Sequence, residues 1–244
     1  MVSGDKFDVI IIGAGQSGIP LARALATAGK EIALIERSLL GGTCINYGCT
    51  PTKTMVASST VAETVRRSAP YGVDVDGFKV ELARVRERKR TMVESWRTGI
   101  ESSINQTPKL TLIYGDAKFT GSKTITIALR EGGKSQITGE TVVINVGASP
   151  MIPSIPGLND VPFLNSTSIM ELARIPEHLV IIGGGYISCE FSQMFRRFGS
   201  NVTIVQRSGQ LLSGQDSDIA DCVKKILEDE GIEVLLNAST TSVG

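Results

Sequence analysis

The sequence predicts an α/β chain made of two similar halves, each a parallel sheet flanked by helices, joined by a proline-rich connector. Three observations predict it. Residues 8–37, DVIIIGAGQSGIPLARALATAGKEIALIER, align without a gap on residues 178–207, HLVIIGGGYISCEFSQMFRRFGSNVTIVQR, at an offset of 170. Each copy reads as an apolar strand, a glycine turn, a helix closed by glycine and a second apolar strand, which is a βαβ unit. The apolar runs are unbroken, as expected of strands buried on both faces of a parallel sheet.

In the first copy Gly13, Gly15 and Gly18 follow the strand 7–12 and open a helix, and Glu36 stands at the end of the next strand. A lone glycine triplet could be an ordinary βα turn; this context makes it a dinucleotide-binding fingerprint of Rossmann type. Gly13 allows the tight turn, Gly15 lets a pyrophosphate approach the backbone, and Gly18 lets helix and strand pack closely. The helix N-terminus offers N–H groups and the positive end of its dipole to phosphate. Glu36 is placed to accept hydrogen bonds from an adenosine ribose.

The second copy keeps Gly183 and Gly185, puts Ser188 where the third glycine would be, and has Gln206 in place of Glu36. Without a carboxylate there, nothing repels a ribose 2′-phosphate, and Arg207 beside it can pair with one. This site is expected to take NADPH in preference to NADH.

Between the copies, 79–104 reads as one long helix carrying Arg84, Arg86, Arg88, Lys89 and Arg90. Neutral overall charge and the absence of interleaved aromatics favour a solvated face over a nucleic-acid or membrane patch. Residues 109–146 show short runs broken by turns, expected as antiparallel strands and a return to the sheet. The proline-rich stretch 148–162 is the connector. The expected domains are therefore 1–150 and 151–244.

Composition sets the outer bounds. At 244 residues with 41% hydrophobic content the chain can bury a core, and 25 Lys plus Arg balance 25 Asp plus Glu. No global field draws it to nucleic acid or an anionic membrane. No apolar run reaches the length of a membrane span, and MVSGDKFDVIIIGAG lacks the basic start of a signal peptide. A cytoplasmic setting follows, where a close cysteine pair is more often catalytic or metal-binding than structural.

That pair is Cys44 and Cys49 in GGTCINYGCTPTK, residues 41–53. Zinc would need more ligands than the neighbourhood offers: the single histidine, His178, starts a strand of the second copy, and Cys189 and Cys222 belong to distant helices. No metal site is expected. A reversible disulfide fits better, because the segment after Cys49 is helix-forming, and a helix N-terminus with Lys53 close by stabilises a thiolate.

Taken in order, GAGQSG, ER, GGTCINYGCTPTK, INVGASP and IIGGGYISCEF resemble the class I pyridine nucleotide–disulfide oxidoreductases, over essentially the whole chain. Details such as INVGASP, IPEHLVIIGG and FSQMFRRFGS are most similar to the mercuric reductase-like branch. The resemblance implies FAD on the first repeat, held by Gly13, Gly15, Ser17, Gly18, Glu36, Arg37, Gly42, Thr43 and Gly48, with Gly115 and Ala117 near the adenine side. It implies NAD(P)H on the second, held by Gly183, Gly185, Tyr186, Ile187 and Glu190, with Gln206 and Arg207 at the ribose. Cys49 matches the flavin-facing thiol, Cys44 the interchange thiol and Lys53 the lysine near the flavin. The family's Ala-Thr-Gly before the connector reads Asn145-Val146-Gly147 here, which loses a hydroxyl and keeps the turn.

The resemblance further implies a longer parent. The chain is expected to stop inside the second dinucleotide domain, without the C-terminal dimerisation domain and its acid/base pair. The parent would be a homodimer reducing a small-molecule disulfide or a metal ion; the alternative is a non-catalytic FAD- or nucleotide-binding fragment. A single-cysteine flavin oxidase is disfavoured by the paired cysteines.

Overall fold

The computed structural model describes residues 4–244. The chain divides into two compact units, Met1–Pro51 with Arg90–Ser149, and Thr52–Lys89 with Pro150–Gly244. The break at 149/150 falls where the connector begins. The segment 52–89 packs with the residues after that break, because Met55 and Leu82 are buried in one cluster with Met170, Phe191, Phe195 and Ile204.

In the first unit β1 (Lys6–Ile12) leads through α1 (Gly18–Thr27) to β2 (Ile32–Glu36). Then come the short helix α2 (Gly42–Asn46) and the long helices α3 (Cys49–Arg66) and α4 (Leu82–Asn105). Three strands follow, β3 (Leu110–Gly121), β4 (Thr124–Leu129) and β5 (Lys134–Ile144). Strand β1 pairs in parallel with β2 on one side and β5 on the other, and β2 pairs in parallel with β3. Strands β3, β4 and β5 run antiparallel to one another in turn, and the five strands close on themselves.

Closure follows from strand length. The first half of β3 pairs with β2, and its second half, from Gly115, pairs with β4. Side chains alternate accordingly. Val9, Ile11, Ile32 and Leu34 pack against α1 with Ala22 and Ala26. Ile10, Ala33 and Ile35 point the other way, onto Ile113, Ile125, Ile127 and Ile137. Each such isoleucine, fully buried, is worth about 1.5–3 kcal/mol.

In the second unit β6 (His178–Ile182), α5 (Tyr186–Phe198) and β7 (Asn201–Val205) repeat the βαβ plan. Helix α6 (Ser217–Asp229) and β8 (Glu233–Leu235) follow, giving a parallel sheet in the order β6-β7-β8. Helix α5 ends on Gly199 at φ 119°, a left-handed position where glycine carries no Cβ penalty. Phe195 and Phe198 meet edge to face at 5.9 Å beneath it.

The expected helix 79–104 begins at Leu82, with the carbonyl of Glu81 accepting from Arg84 and Val85 N–H. Its basic run is not a uniformly solvated face. Lys89 is buried at 3% exposure and paired with Glu171, Arg88 donates to the Thr54 carbonyl at 2.7 Å, and Arg86 to the Glu171 carbonyl at 3.1 Å. Among the described residues no helix is long and apolar enough to cross a membrane, and no group of three or more His, Cys, Asp or Glu is placed to hold a metal.

Candidate functional site

The two glycine loops are built alike. Gly13 N–H donates to the Ile35 carbonyl and Gly183 N–H to the Val205 carbonyl, both at 2.8 Å. Gly13 and Gly183 sit at φ 105° and 101°, conformations that favour glycine. At the next residue the N–H reaches the end of the second strand: Ala14 to Glu36 Oε2 at 2.9 Å, Gly184 to Gln206 Oε1 at 3.2 Å. The carboxylate of one repeat and the amide of the other therefore do the same local work.

The loops differ in what surrounds them. A Cβ on Gly13 would lie 2.1 Å from the Asn145 carbonyl oxygen, and one on Gly18 would lie 2.1 Å from the Gly13 carbonyl oxygen. At Gly183 and Gly185 a Cβ meets nothing within 4 Å. Gly15 has only the Gly42 Cα nearby, at 3.9 Å, so the backbone lies open to a close-lying ligand. An open glycine, a helix start and a carboxylate at the strand end fit the adenosine-diphosphate half of FAD; the open Gly185 fits a second dinucleotide.

Glu36 is buried, and its Oε1 accepts from Ser38 N–H at 2.7 Å. The Ser38 carbonyl in turn accepts from Arg130, whose guanidinium lies 4.1 Å from the Tyr114 ring centroid. Tyr114 donates to Glu101 Oε1 at 2.8 Å, and burial, then that carboxylate, push its phenol up to about 12. Arg37, Ser17 and Thr43 are exposed. Gly115 pairs with Leu129 and Ala117 with Ile127; a Cβ on Gly115 would lie 2.5 Å from the Ala128 carbonyl oxygen, so this glycine is needed by the ladder itself. Gly147 lies at φ 67° just past β5.

The cysteine segment is stitched to the first loop. Gly41 N–H donates to the Ala14 carbonyl at 2.8 Å, and a Cβ on Gly42 would lie 2.8 Å from the Gly15 Cα. Asn46, buried, donates through Nδ2 to the carbonyls of Leu40 and Gly42 at 2.8 and 2.9 Å and fixes α2. Cys44 lies in α2 and Cys49 is the first residue of α3. Gly48 permits the reversal between them: a Cβ there would lie 3.0 Å from the Thr43 carbonyl oxygen and 3.3 Å from the Cys44 Cα.

Both cysteines are free thiols, Cys49 exposed and Cys44 half-buried, with their side chains in hydrogen-bond reach. Burial, and then the Cys49 thiol, push the Cys44 thiol above its ordinary value. The N–H groups of Cys49 and Thr50 at the start of α3 pull the other way without overcoming burial. For Cys44 the pull of the helix start is thus smaller than the upward push of burial and the Cys49 thiol.

In the second unit Lys53 pairs with Glu190 of α5, both partly exposed. Tyr186 is 71% exposed and Ile187 41% exposed at the start of the same helix. Gln206 is fully engaged, its Nε2 donating to Ser208 Oγ at 2.6 Å and to the Gln210 carbonyl at 3.1 Å, whereas Arg207 is exposed. His178 shares a hydrogen bond of 2.9 Å with Thr203 Oγ1. Sequence reasoning missed Asn46 and Arg130, and it read Asn145 only as part of a turn; the partners of all three are distant or local backbone carbonyls that no motif announces.

A family model described as pyridine nucleotide-disulphide oxidoreductase matches residues 7–244. The probable pyridine nucleotide-disulfide oxidoreductase RclA of Escherichia coli K12 is 38% identical over 237 residues, 96% of this chain and 50% of that protein. A dihydrolipoyl dehydrogenase of Chlamydia muridarum is 34% identical over 98% of this chain and 51% of its own length. A mercuric reductase of Bacillus cereus is 34% identical over 96% of this chain and 36% of its own. A solved Cu(II) complex of the HOCl-induced flavoprotein disulfide reductase RclA from Escherichia coli superposes with a TM-score of 0.86 at 37% identity, over 98% of this chain and 51% of that one. The chain therefore spans about half the length of these reductases, or less.

Proposed function

The chain belongs to the pyridine nucleotide-disulphide oxidoreductases, and on that premise we propose that it draws electrons from NADPH, or NADH, through FAD into a Cys44–Cys49 disulfide. The observation that carries the proposal is the cysteine pair itself, two thiols in mutual contact on a segment bonded to a dinucleotide loop. Bound FAD supplies the exchange of two electrons between a hydride donor and a disulfide. Glu36, the open Gly15 and the start of α1 hold its adenosine diphosphate. Gly183, Gly185 and Arg207 hold the nicotinamide coenzyme, and Tyr186, Ile187 and Glu190 line its reactive end, with Lys53 fixed by Glu190.

Two electrons and two protons open the S–S bond to two thiols. The dithiol returns both electrons and both protons to an acceptor disulfide, which leaves as two thiols, or passes the electrons to a metal ion and releases the protons. Cys49 takes the flavin side and Cys44 the acceptor side. Because burial and the Cys49 thiol push the Cys44 thiol up, a base has to take its proton; His178, engaged with Thr203, does not serve. The setting is a reducing cytoplasm, and the full-length arrangement is a homodimer whose partner subunit brings the acid/base.

A second reading rests on one observation: the chain's single histidine, His178, is already engaged with Thr203. On that reading it binds FAD and nucleotide without turnover. Anaerobic NADPH added to the FAD-loaded chain separates the two. Lasting bleaching that needs two equivalents of NADPH per FAD, one for the disulfide and one for the flavin, and that runs faster with NADPH than NADH, supports the electron path; bleaching complete at one equivalent leaves the disulfide out of it, and an unchanged flavin spectrum leaves only binding. Equal or faster bleaching by NADH removes the assigned role of Gln206 and Arg207.

A further inference from the structure

We propose that Asn145 is a positioning residue for the adenosine-diphosphate half of FAD, acting through the peptide between Gly13 and Ala14. This rests on the FAD reading of the first loop. The carbonyl of that peptide accepts from Asn145 Nδ2 at 3.2 Å, and its N–H donates to Glu36 Oε2 at 2.9 Å. A peptide plane gripped at both its oxygen and its hydrogen cannot rotate between its two Cα atoms. The grip falls where it is needed, since Gly13 has no side chain to restrict it and sits at φ 105°. The next amides lead into α1, where a phosphate is met.

Asn145 is itself anchored. Its N–H donates to the Ile12 carbonyl at 2.8 Å, so the end of β5 is fixed to the end of β1. Gly18 completes the device: a Cβ there would lie 2.7 Å from Asn145 Nδ2 as well as 2.1 Å from the Gly13 carbonyl oxygen. The third glycine thus leaves the space through which the amide reaches its carbonyl. In the second repeat Gln206 holds the corresponding N–H, and Ser188 stands in place of the third glycine.

The test compares Asn145→Ala, Asn145→Asp and Asn145→Ser in the 244-residue chain. FAD binding is read by flavin fluorescence, ADP binding by calorimetry as a probe of the same half, and NADP⁺ binding as the internal control at the second loop. Loss of one hydrogen bond predicts about a 3- to 10-fold rise in Kd for FAD and ADP alike in Asn145→Ala. Asn145→Asp, which sets an acceptor against the Gly13 carbonyl, is weaker still, and Asn145→Ser, which keeps a donor, recovers part of the loss. NADP⁺ binding stays at the wild-type value, and Tm falls by no more than the few degrees that one lost hydrogen bond accounts for. Unchanged FAD and ADP affinity in Asn145→Ala overturns the proposal, as does an equal loss at the NADP⁺ site accompanied by a lower Tm. If Asn145→Asp does not fold, the ordering of Ala below Ser decides. If the wild-type chain binds neither FAD nor ADP, the FAD reading fails, and with it the proposed role. Amide exchange at Ala14 then shows separately whether the grip exists: faster in Asn145→Ala if it does, unchanged if it does not.

Discussion

Gly13 and Gly183 occupy equivalent places in the two repeats, and alanine at each gives the two loops different tasks. Both lie at φ above 100°, so both substitutions meet backbone strain of about 1–3 kcal/mol. Only Gly13→Ala adds a collision, with its Cβ 2.1 Å from the Asn145 carbonyl oxygen, and that atom belongs to backbone rather than to a flexible side chain. Relief requires moving the end of β5, which breaks the Asn145 N–H bond to Ile12 and the Nδ2 bond to Gly13. At about 1 kcal/mol net for each bond, Gly13→Ala costs about 3–5 kcal/mol against about 1–3 for Gly183→Ala. A 2 kcal/mol gap is about a 30-fold difference in the unfolding equilibrium. The single tryptophan, Trp96, lies in the first unit and reports its urea transition, while native-state hydrogen exchange of the β6 amides reports the second. Gly183→Ala costing as much in its unit as Gly13→Ala does in its own would refute the collision as the source of the difference.

Three further expectations concern protons and buried charge. The Cys44 thiol is held above its ordinary value, so its protonated form is favoured: the stability it contributes is present below the ordinary thiol pKa and fades as pH rises through the raised one. Alkylation of reduced Cys44 should therefore lag a simple thiol at pH 8 and catch up only in more alkaline buffer, with Cys49→Ala moving the profile part-way back; a profile at or below that of a simple thiol contradicts this. Tyr114, raised to about 12, stabilises the first unit below pH 10 and loses that contribution between pH 10 and about 12. Urea melts of Tyr114→Phe should lack that alkaline decline. Lys89 is 3% exposed and paired with Glu171, whose side chain is 46% exposed. Glu171→Ala should cost about 2–3 kcal/mol, somewhat under the 3–5 of a fully buried pair because water reaches the carboxylate, and Lys89→Met should cost less; the reverse order in chemical denaturation would contradict the assignment.

The parts legible in the sequence are those set by local rules. Gly13, Gly183, Gly29 and Gly199 all take positive φ, as glycines at turns and helix ends do. The ungapped repeat appears as matching hydrogen bonds at Gly13 and Gly183, because equal spacing of strand, turn and helix yields equal geometry. Cys44 and Cys49 come together because Gly41, Gly42 and Gly48 bend the chain there, and those glycines were visible. What remained hidden depends on partners far along the chain. Asn145 acts on a carbonyl 132 residues away, and Arg130 on one 92 residues away, and nothing in the composition around either marks the contact. The burial of Lys89 was illegible for a related reason: a basic run looks solvated until tertiary structure brings a carboxylate to one member of it. The packing of 52–89 with the second unit depends on Met55 and Leu82 finding a core made largely of residues after 150.

The account stands most directly on whether electrons from NADPH reach Cys44 and Cys49 as a pair. Both cysteines fall in the single tryptic segment 38–53, SLLGGTCINYGCTPTK, so one peptide records the state of both sulfurs. The measurement is mass analysis of that peptide after alkylation of the FAD-loaded, air-oxidised chain, with and without anaerobic NADPH. The account predicts an unalkylated peptide lighter by two hydrogens before NADPH, and one carrying two alkyl groups after it, with the change lost in Gly13→Ala. A peptide already doubly alkylated before NADPH, or one unchanged by NADPH while the flavin bleaches, would contradict it.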